Sequence, residues 1–109
     1  MKGKIVLLPF PFTDLTATKL RPALVIHEGS QDVVVVFISS KIPAKVSDVD
    51  VLVTKEDSGF ERSGLKVDSV IKLDKVATIL KDLILGELGE LNRELRDIVN
   101  QNMRRVFVI

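Results

Sequence analysis

Apolar residues in this chain come in short runs closed by glycine, proline or polar clusters, until the spacing changes at Glu90. Ile5 to Leu8 reads as a first strand, residues 20 to 27 as a second and Asp32 to Ser39 as a third. Val49 to Val53, Ser69 to Leu73, Val76 to Leu80 and Leu83 to Leu88 are further β-like runs. Residues 9 to 19 carry Pro9 and Pro11 with Thr and Asp, which excludes helix; Lys41 to Asp50 and Thr54 to Gly64 read as loops. Beyond Glu90, the residues Leu91, Leu95, Ile98, Val99, Met103 and Val106 recur at helical spacing, with Arg93, Glu94, Arg96 and Asp97 opposite. Five to seven short strands followed by one amphipathic helix predict a mainly β fold, a small barrel or tightly curled sheet with the helix on one side.

The 109 residues make a single domain, 1–109, long enough to bury a core without staples. There is no cysteine, which removes disulfides, thiol chemistry and a thiolate zinc site, and one histidine argues against a His-rich metal site. A net charge of +1 demands local patches if a polyanion is to bind. The apolar stretch near the N-terminus is short and broken by Pro9, so it fails as a signal peptide, and no stretch approaches a membrane span. A cytoplasmic protein is the expectation.

The second run begins Leu20-Arg21-Pro22. Proline fixes its own φ and biases the residue before it toward extended geometry, so Arg21 belongs at a strand entry. The continuously apolar residues behind it predict burial on both faces. A guanidinium held at the rim of such a sheet suits a phosphate or carboxylate, although an arginine at a sheet edge more often forms an ion pair or caps a carbonyl. If the second and third strands form a hairpin around Ser30, opposed residues sum to sixty. His27 then faces Val33, Val25 faces Val35, Ala23 faces Phe37, and Arg21 faces Ser39, the last two forming a compact polar pair. Lys72 and Asp74 sit two apart on one strand face; acid–base work and a plain surface ion pair are both open to them. His27, on the Arg21 face but six residues along, reads as a strand-end residue rather than a general base. The helix-end pair Arg104-Arg105 reads as a dipole and solvation preference.

Taken in order, these residues resemble a PemK/MazF-type toxin of type II toxin–antitoxin systems. The resemblance spans nearly the whole chain. It rests on Gly3-Lys4-Ile5-Val6, on Pro9-Phe10-Pro11-Phe12-Thr13-Asp14 leading to Arg21-Pro22-Ala23-Leu24-Val25-Ile26, and on Ile38-Ser39-Ser40. Asp68-Ser69-Val70-Ile71 with Asp74, Thr78-Ile79, Gly86-Glu87-Leu88 and the terminal helix complete it. It implies an SH3-like barrel, a homodimer, a cognate antitoxin partner and an endoribonuclease that cuts single-stranded RNA with no metal or other cofactor. In this chemistry the ribose 2′-OH attacks the adjacent phosphate, leaving 2′,3′-cyclic phosphate and 5′-OH ends. By the same resemblance Arg21 stabilises the phosphate, Ser39 stands where the family usually has threonine, Asp74 matches the acidic residue that serves as base in some members, and Lys72 replaces an arginine. Lys19 and Lys41, with Thr13 and Lys75, are the expected RNA-binding residues, and Phe10 and Phe12 the expected stacking surfaces. The alternative within the same fold is a non-catalytic toxin that binds a protein such as DNA gyrase, in which case Gln101 to Ile109 should matter more than Arg21.

Overall fold

The computed structural model describes residues 1–10 and 19–109. Six strands, β1 (Lys4–Phe10), β2 (Lys19–Glu28), β3 (Asp32–Ser39), β4 (Val51–Val53), β5 (Ser69–Leu80) and β6 (Gly86–Glu90), pair antiparallel in one sheet of order β4-β5-β3-β2-β1-β6. The two expected strands at 69–73 and 76–80 are one, interrupted rather than divided, and the last strand starts at Gly86 rather than Leu83. Thr54 to Gly64 is not all loop: it contains a single helical turn, α1 (Phe60–Ser63), closed by Gly64 at φ 75°. A Cβ at Gly64 would clash with the Leu88 carbonyl oxygen, so both the left-handed backbone and the close approach require glycine.

The sheet must curl. The chain passes from Leu80 at the end of β5 to Gly86 at the start of β6, four strand positions across the sheet, through a 3₁₀ turn at Lys81–Leu83. Three residues at about 2 Å and three at about 3.4 Å reach only about 16 Å. Four flat strand spacings would need about 19 Å. Curling closes the difference, and hydrogen bonds from Lys81 N–H to the Gln31 carbonyl and from Leu85 N–H to the Leu7 carbonyl, both 2.9 Å, pin the crossing.

Both faces of this sheet are buried, as the unbroken apolar runs required. On one face Ile5, Leu24, Val36, Ile38, Ile71 and Leu73 pack against Leu91, Leu95 and Val99 of the C-terminal segment. On the other, Val6, Leu8, Ala23, Val25, Val35 and Phe37 are covered by Ala77, Ile79 and Ile84, the last from the crossing segment. The helix α2 (Arg93–Val106) begins where Asn92 accepts a hydrogen bond from Leu95 N–H at 3.0 Å, a side-chain N-cap. Of its expected stripe, Leu95 and Val99 are buried and Met103 and Val106 pack partly, whereas Ile98 turns to solvent. Arg105 does more than complement the dipole: its guanidinium pairs with Asp48 at 3.1 Å and, with the Asn102 side-chain amide donating to the Val49 carbonyl, ties α2 to the segment before β4.

One ion cluster holds the hairpin turn. Glu28 accepts from Lys81 at 2.7 Å and from the N-terminal ammonium at 2.8 Å. The Lys81 hydrogen bond, then the terminal ammonium, lower its pKa to about 2. A carboxylate whose folded pKa lies below its unfolded one contributes stability above the unfolded value and loses it as pH falls through the folded value. Acid unfolding followed by circular dichroism should therefore show stability draining from about pH 4.5 toward about pH 2, and Glu28→Gln should flatten that part of the profile; an unchanged profile would remove the cluster from the account.

Candidate active site

The start of β2, the end of β3 and the start of β5 lie side by side at one end of the sheet. The β2–β3 ladder runs Val25↔Val35, Leu24↔Val36 and Ala23↔Phe37, the register expected from the sequence. Arg21 and Ser39 lie one alternation beyond its last pair, where the ladder ends, and alternation puts both on the face of Ala23 and Phe37. Lys72 pairs directly with Phe37 and Ser39 with Val70, which puts Lys72 on the same face, diagonal to Ser39. Arg21 is half-buried, opposite the fully buried Leu8 of β1.

A three-residue bulge gives β5 its second function. Val36 pairs with Val76 but the next residue, Phe37, pairs with Lys72, leaving Leu73, Asp74 and Lys75 outside the ladder. Leu73 drops into the core under α2, while Asp74 and Lys75 project to solvent with side chains 60% and 63% exposed. A bulge leaves backbone groups unpaired. Here Leu73 N–H donates to the Asp50 carboxylate at 3.2 Å. The bulge also reverses alternation: Ile71 and Leu73 face α2, whereas Ala77 and Ile79 face the opposite cluster. Asp74 pairs with its neighbour Lys75 at 4.0 Å, not with Lys72.

Charge is divided unevenly over the molecule. Lys4, Arg62 and Arg96 share Glu90, Lys81 and the N-terminus share Glu28, and Arg105 takes Asp48. The hydrogen bond from Arg62, then that from Lys4, lower the Glu90 pKa. At the site end, Lys19 and Lys41 are exposed and Lys72 half-exposed, and none of the three has a salt-bridge partner among the described residues. Two acids near this end are turned to backbone donors, Asp50 to Leu73 N–H at 3.2 Å and Asp68 to Lys55 N–H at 2.8 Å. Ser39 Oγ accepts from Lys41 N–H at 3.1 Å. With that lone pair occupied, the hydroxyl proton is the group left to offer an anion. The end of the sheet is thus a cationic patch with one hydroxyl donor and a flanking carboxylate, a set that can hold a phosphate and exchange a proton beside it.

The structure brings Arg21, Ser39 and Lys72 together on one face, with Asp74 and Lys75 on the bulge beside them and Lys19 and Lys41 at the rim. Thr13 and Phe12 lie outside the described residues. His27 is a correction. The ladder slips between Val25 and His27, so His27 pairs with Val34 instead of Val33 and moves to the α2 face, away from Arg21. Asp50 went unnoticed in the sequence because its partner, Leu73, lies 23 residues on and carries no local signal.

Comparison with known proteins bears on this arrangement. Residues 1–107 match the family model described as the PemK-like, MazF-like toxin of type II toxin–antitoxin systems. Among solved structures, the chain is similar to the Mycobacterium tuberculosis toxin MazF-mt6, with 18% identity, TM-score 0.74 and 95% of each chain covered. It is similar also to MazF from Deinococcus radiodurans, with 19% identity, TM-score 0.70 and 96% and 93% covered. A mycobacterial endoribonuclease in complex with its cognate antitoxin aligns at 18% identity and TM-score 0.69, over 96% of this chain and 91% of that one. No curated protein sequence matches significantly.

Replacing Asp50 with Ala should leave Leu73 N–H without its acceptor and cost about 1–3 kcal/mol of stability by denaturant titration. Amide shifts at Asp74 and Lys75 should move with it; a variant as stable as the parent, with an unmoved bulge, would deny Asp50 its role.

Proposed function

The chain belongs to the PemK-like, MazF-like toxin family of type II toxin–antitoxin systems, and on that premise we propose that it is a metal-independent endoribonuclease acting on single-stranded RNA. The observation that supports the reading is that Arg21, Ser39 and Lys72 share one face at one end of the sheet, where Lys19, Lys41 and Lys72 have no salt-bridge partner among the described residues. The similarly folded mycobacterial endoribonuclease that is complexed with its cognate antitoxin supports it.

In the proposed reaction the scissile phosphate lies over Arg21 and Ser39. The ribose 2′-oxygen attacks phosphorus as Asp74 takes its proton; the bond to the 5′-oxygen breaks, and Arg21 supplies a proton to the departing oxygen. The products are a 2′,3′-cyclic phosphate and a 5′-OH. The phosphorane carries more negative charge than the diester, so donors already fixed in place act where charge develops. Ser39 donates its hydroxyl proton to a nonbridging oxygen, and Lys72 adds charge without the two-pronged geometry of an arginine. The backbones of β5 and β2 are two strand spacings apart, about 10 Å, a gap that the phosphate and the Arg21 side chain fill between them. Lys19, Lys41, Lys75 and Thr13 hold flanking phosphates, with Phe10 and Phe12 as stacking surfaces.

In the same proposal the toxin works as a cytoplasmic homodimer neutralised by a cognate antitoxin. Leu80, Leu83 and Leu85, all about half exposed around the 3₁₀ turn, offer apolar surface for a second copy. A second reading, a non-catalytic toxin that binds a protein such as DNA gyrase, draws on the exposed Phe107, Val108 and Ile109 beyond α2.

Purified protein should cut single-stranded RNA in EDTA. Arg21→Ala should lower the rate by about 10²–10³-fold, the range for loss of one preorganised donor to a developing oxyanion, and Arg21→Lys should restore little of it. Intact RNA with folded protein would overturn the proposal. Gyrase inhibition that survives Arg21→Ala but not removal of residues 107–109 would select the second reading. Sedimentation should give twice the monomer mass; a monomer at micromolar concentration would contradict the dimer.

A further inference from the structure

The slip in β2 that moves His27 off the Arg21 face delivers it to a cavity on the other side of the sheet. This cavity, about 310 Å³, lies between β2 and α2. Its apolar lining is Leu24, Ile26, Leu91, Val99 and Met103. Around it stand Lys2, His27, Arg96 and Asn100, with no aspartate or glutamate among the lining residues. Without the slip, alternation would leave His27 on the opposite face; bulges commonly re-aim a side chain at a site.

Arg96 is held in position by the chain around it. Its Nε donates to the Leu91 carbonyl at 3.2 Å, and its guanidinium lies over Gly3, where any Cβ would meet the Arg96 Cζ at 2.5 Å. Gly3 also has φ 84°, so the notch that receives the guanidinium is built from a backbone conformation that favours glycine. Its acidic neighbour is Glu90 at 3.5 Å, a carboxylate already shared with Arg62 at 2.8 Å and Lys4 at 3.3 Å. Of the three cations, Arg96 stands farthest from that carboxylate. A guanidinium that shares Glu90 with two other cations, an ammonium, an imidazole and an amide thus rim an apolar recess whose lining includes no carboxylate.

We propose that this cavity is a second binding site, separate from the phosphate face, for a small amphipathic monocarboxylate. The apolar body enters between Leu24, Val99 and Met103. The carboxylate stays at the rim, accepting hydrogen bonds from Arg96 and Asn100 with Lys2 and His27 alongside. The volume is at the low end for small-molecule pockets, about 300–1,000 Å³, which favours a compact aromatic or branched acid.

Titration of isotopically labelled protein with hydrocinnamate, followed by NMR, tests this directly. The expected result is saturable shifts at the methyl groups of Leu24, Val99 and Met103 and at Arg96 Nε–H. Hydrocinnamamide, the same body without charge, should bind about tenfold more weakly or worse. His27→Gln, at an exposed position, should weaken hydrocinnamate about two- to fivefold without changing the endpoint spectrum. Shifts that never saturate, shifts confined to Lys2 and His27, or equal affinity for acid and amide would each overturn the proposal. Saturation by an acidic peptide when hydrocinnamate gives none would overturn it too, in favour of a protein partner.

Discussion

The three-residue bulge in β5 is the constraint on which the rest of the molecule turns. A strand buried on both faces must supply apolar residues to each, and strict alternation fixes which residues those are. By placing Leu73, Asp74 and Lys75 outside the ladder, the chain lets Ile71 and Leu73 serve the α2 side and Ala77 and Ile79 the other. The same insertion lifts a carboxylate and a lysine out of a core strand, beside Lys72 and one strand away from Ser39. Asp50 makes the arrangement tolerable by taking the Leu73 N–H that the ladder no longer satisfies. Core, curvature and candidate chemistry meet in three consecutive residues.

The second slip, at Ile26 in β2, has the opposite effect. It removes His27 from the face that carries Arg21 and sets it on the side of α2. The sheet is therefore polarised. At one end of one face lie Arg21, Ser39 and the lysines; on the reverse, His27, Arg96 and Lys2 ring an apolar recess. Glu28 and Glu90 each bind more than one cation, so a chain of net charge +1 keeps Lys19, Lys41 and Lys72 without salt-bridge partners among the described residues.

Much of this was legible in the residues. The Arg21-Pro22 strand entry, the continuous apolar runs of β2 and β3, the hairpin register from Ala23 to Val25 and the helix after Asn92 all follow from local pattern, and the structure has them. What escaped depends on contacts distant in sequence. Ser69 to Leu80 looks like two strands because Asp74-Lys75 is polar, and only pairing with β3 makes it one. The His27 slip appears only in its pairing with Val34, so alternation carried it to the wrong face. Phe60 to Ser63 turns helical where Gly59 and Gly64 suggested only a loop, because Gly64 closes the turn against Leu88.

The claim most in need of a direct measurement is that the substrate supplies its own nucleophile over Arg21 and Ser39. A short single-stranded RNA with one 2′-deoxy sugar on the 5′ side of the cleaved bond isolates that step. Binding should survive, since the phosphate and its contacts are unchanged, and cleavage at that bond should vanish. Cutting of the deoxy-substituted strand at the same bond and rate would contradict the account, because the nucleophile would then have to come from elsewhere.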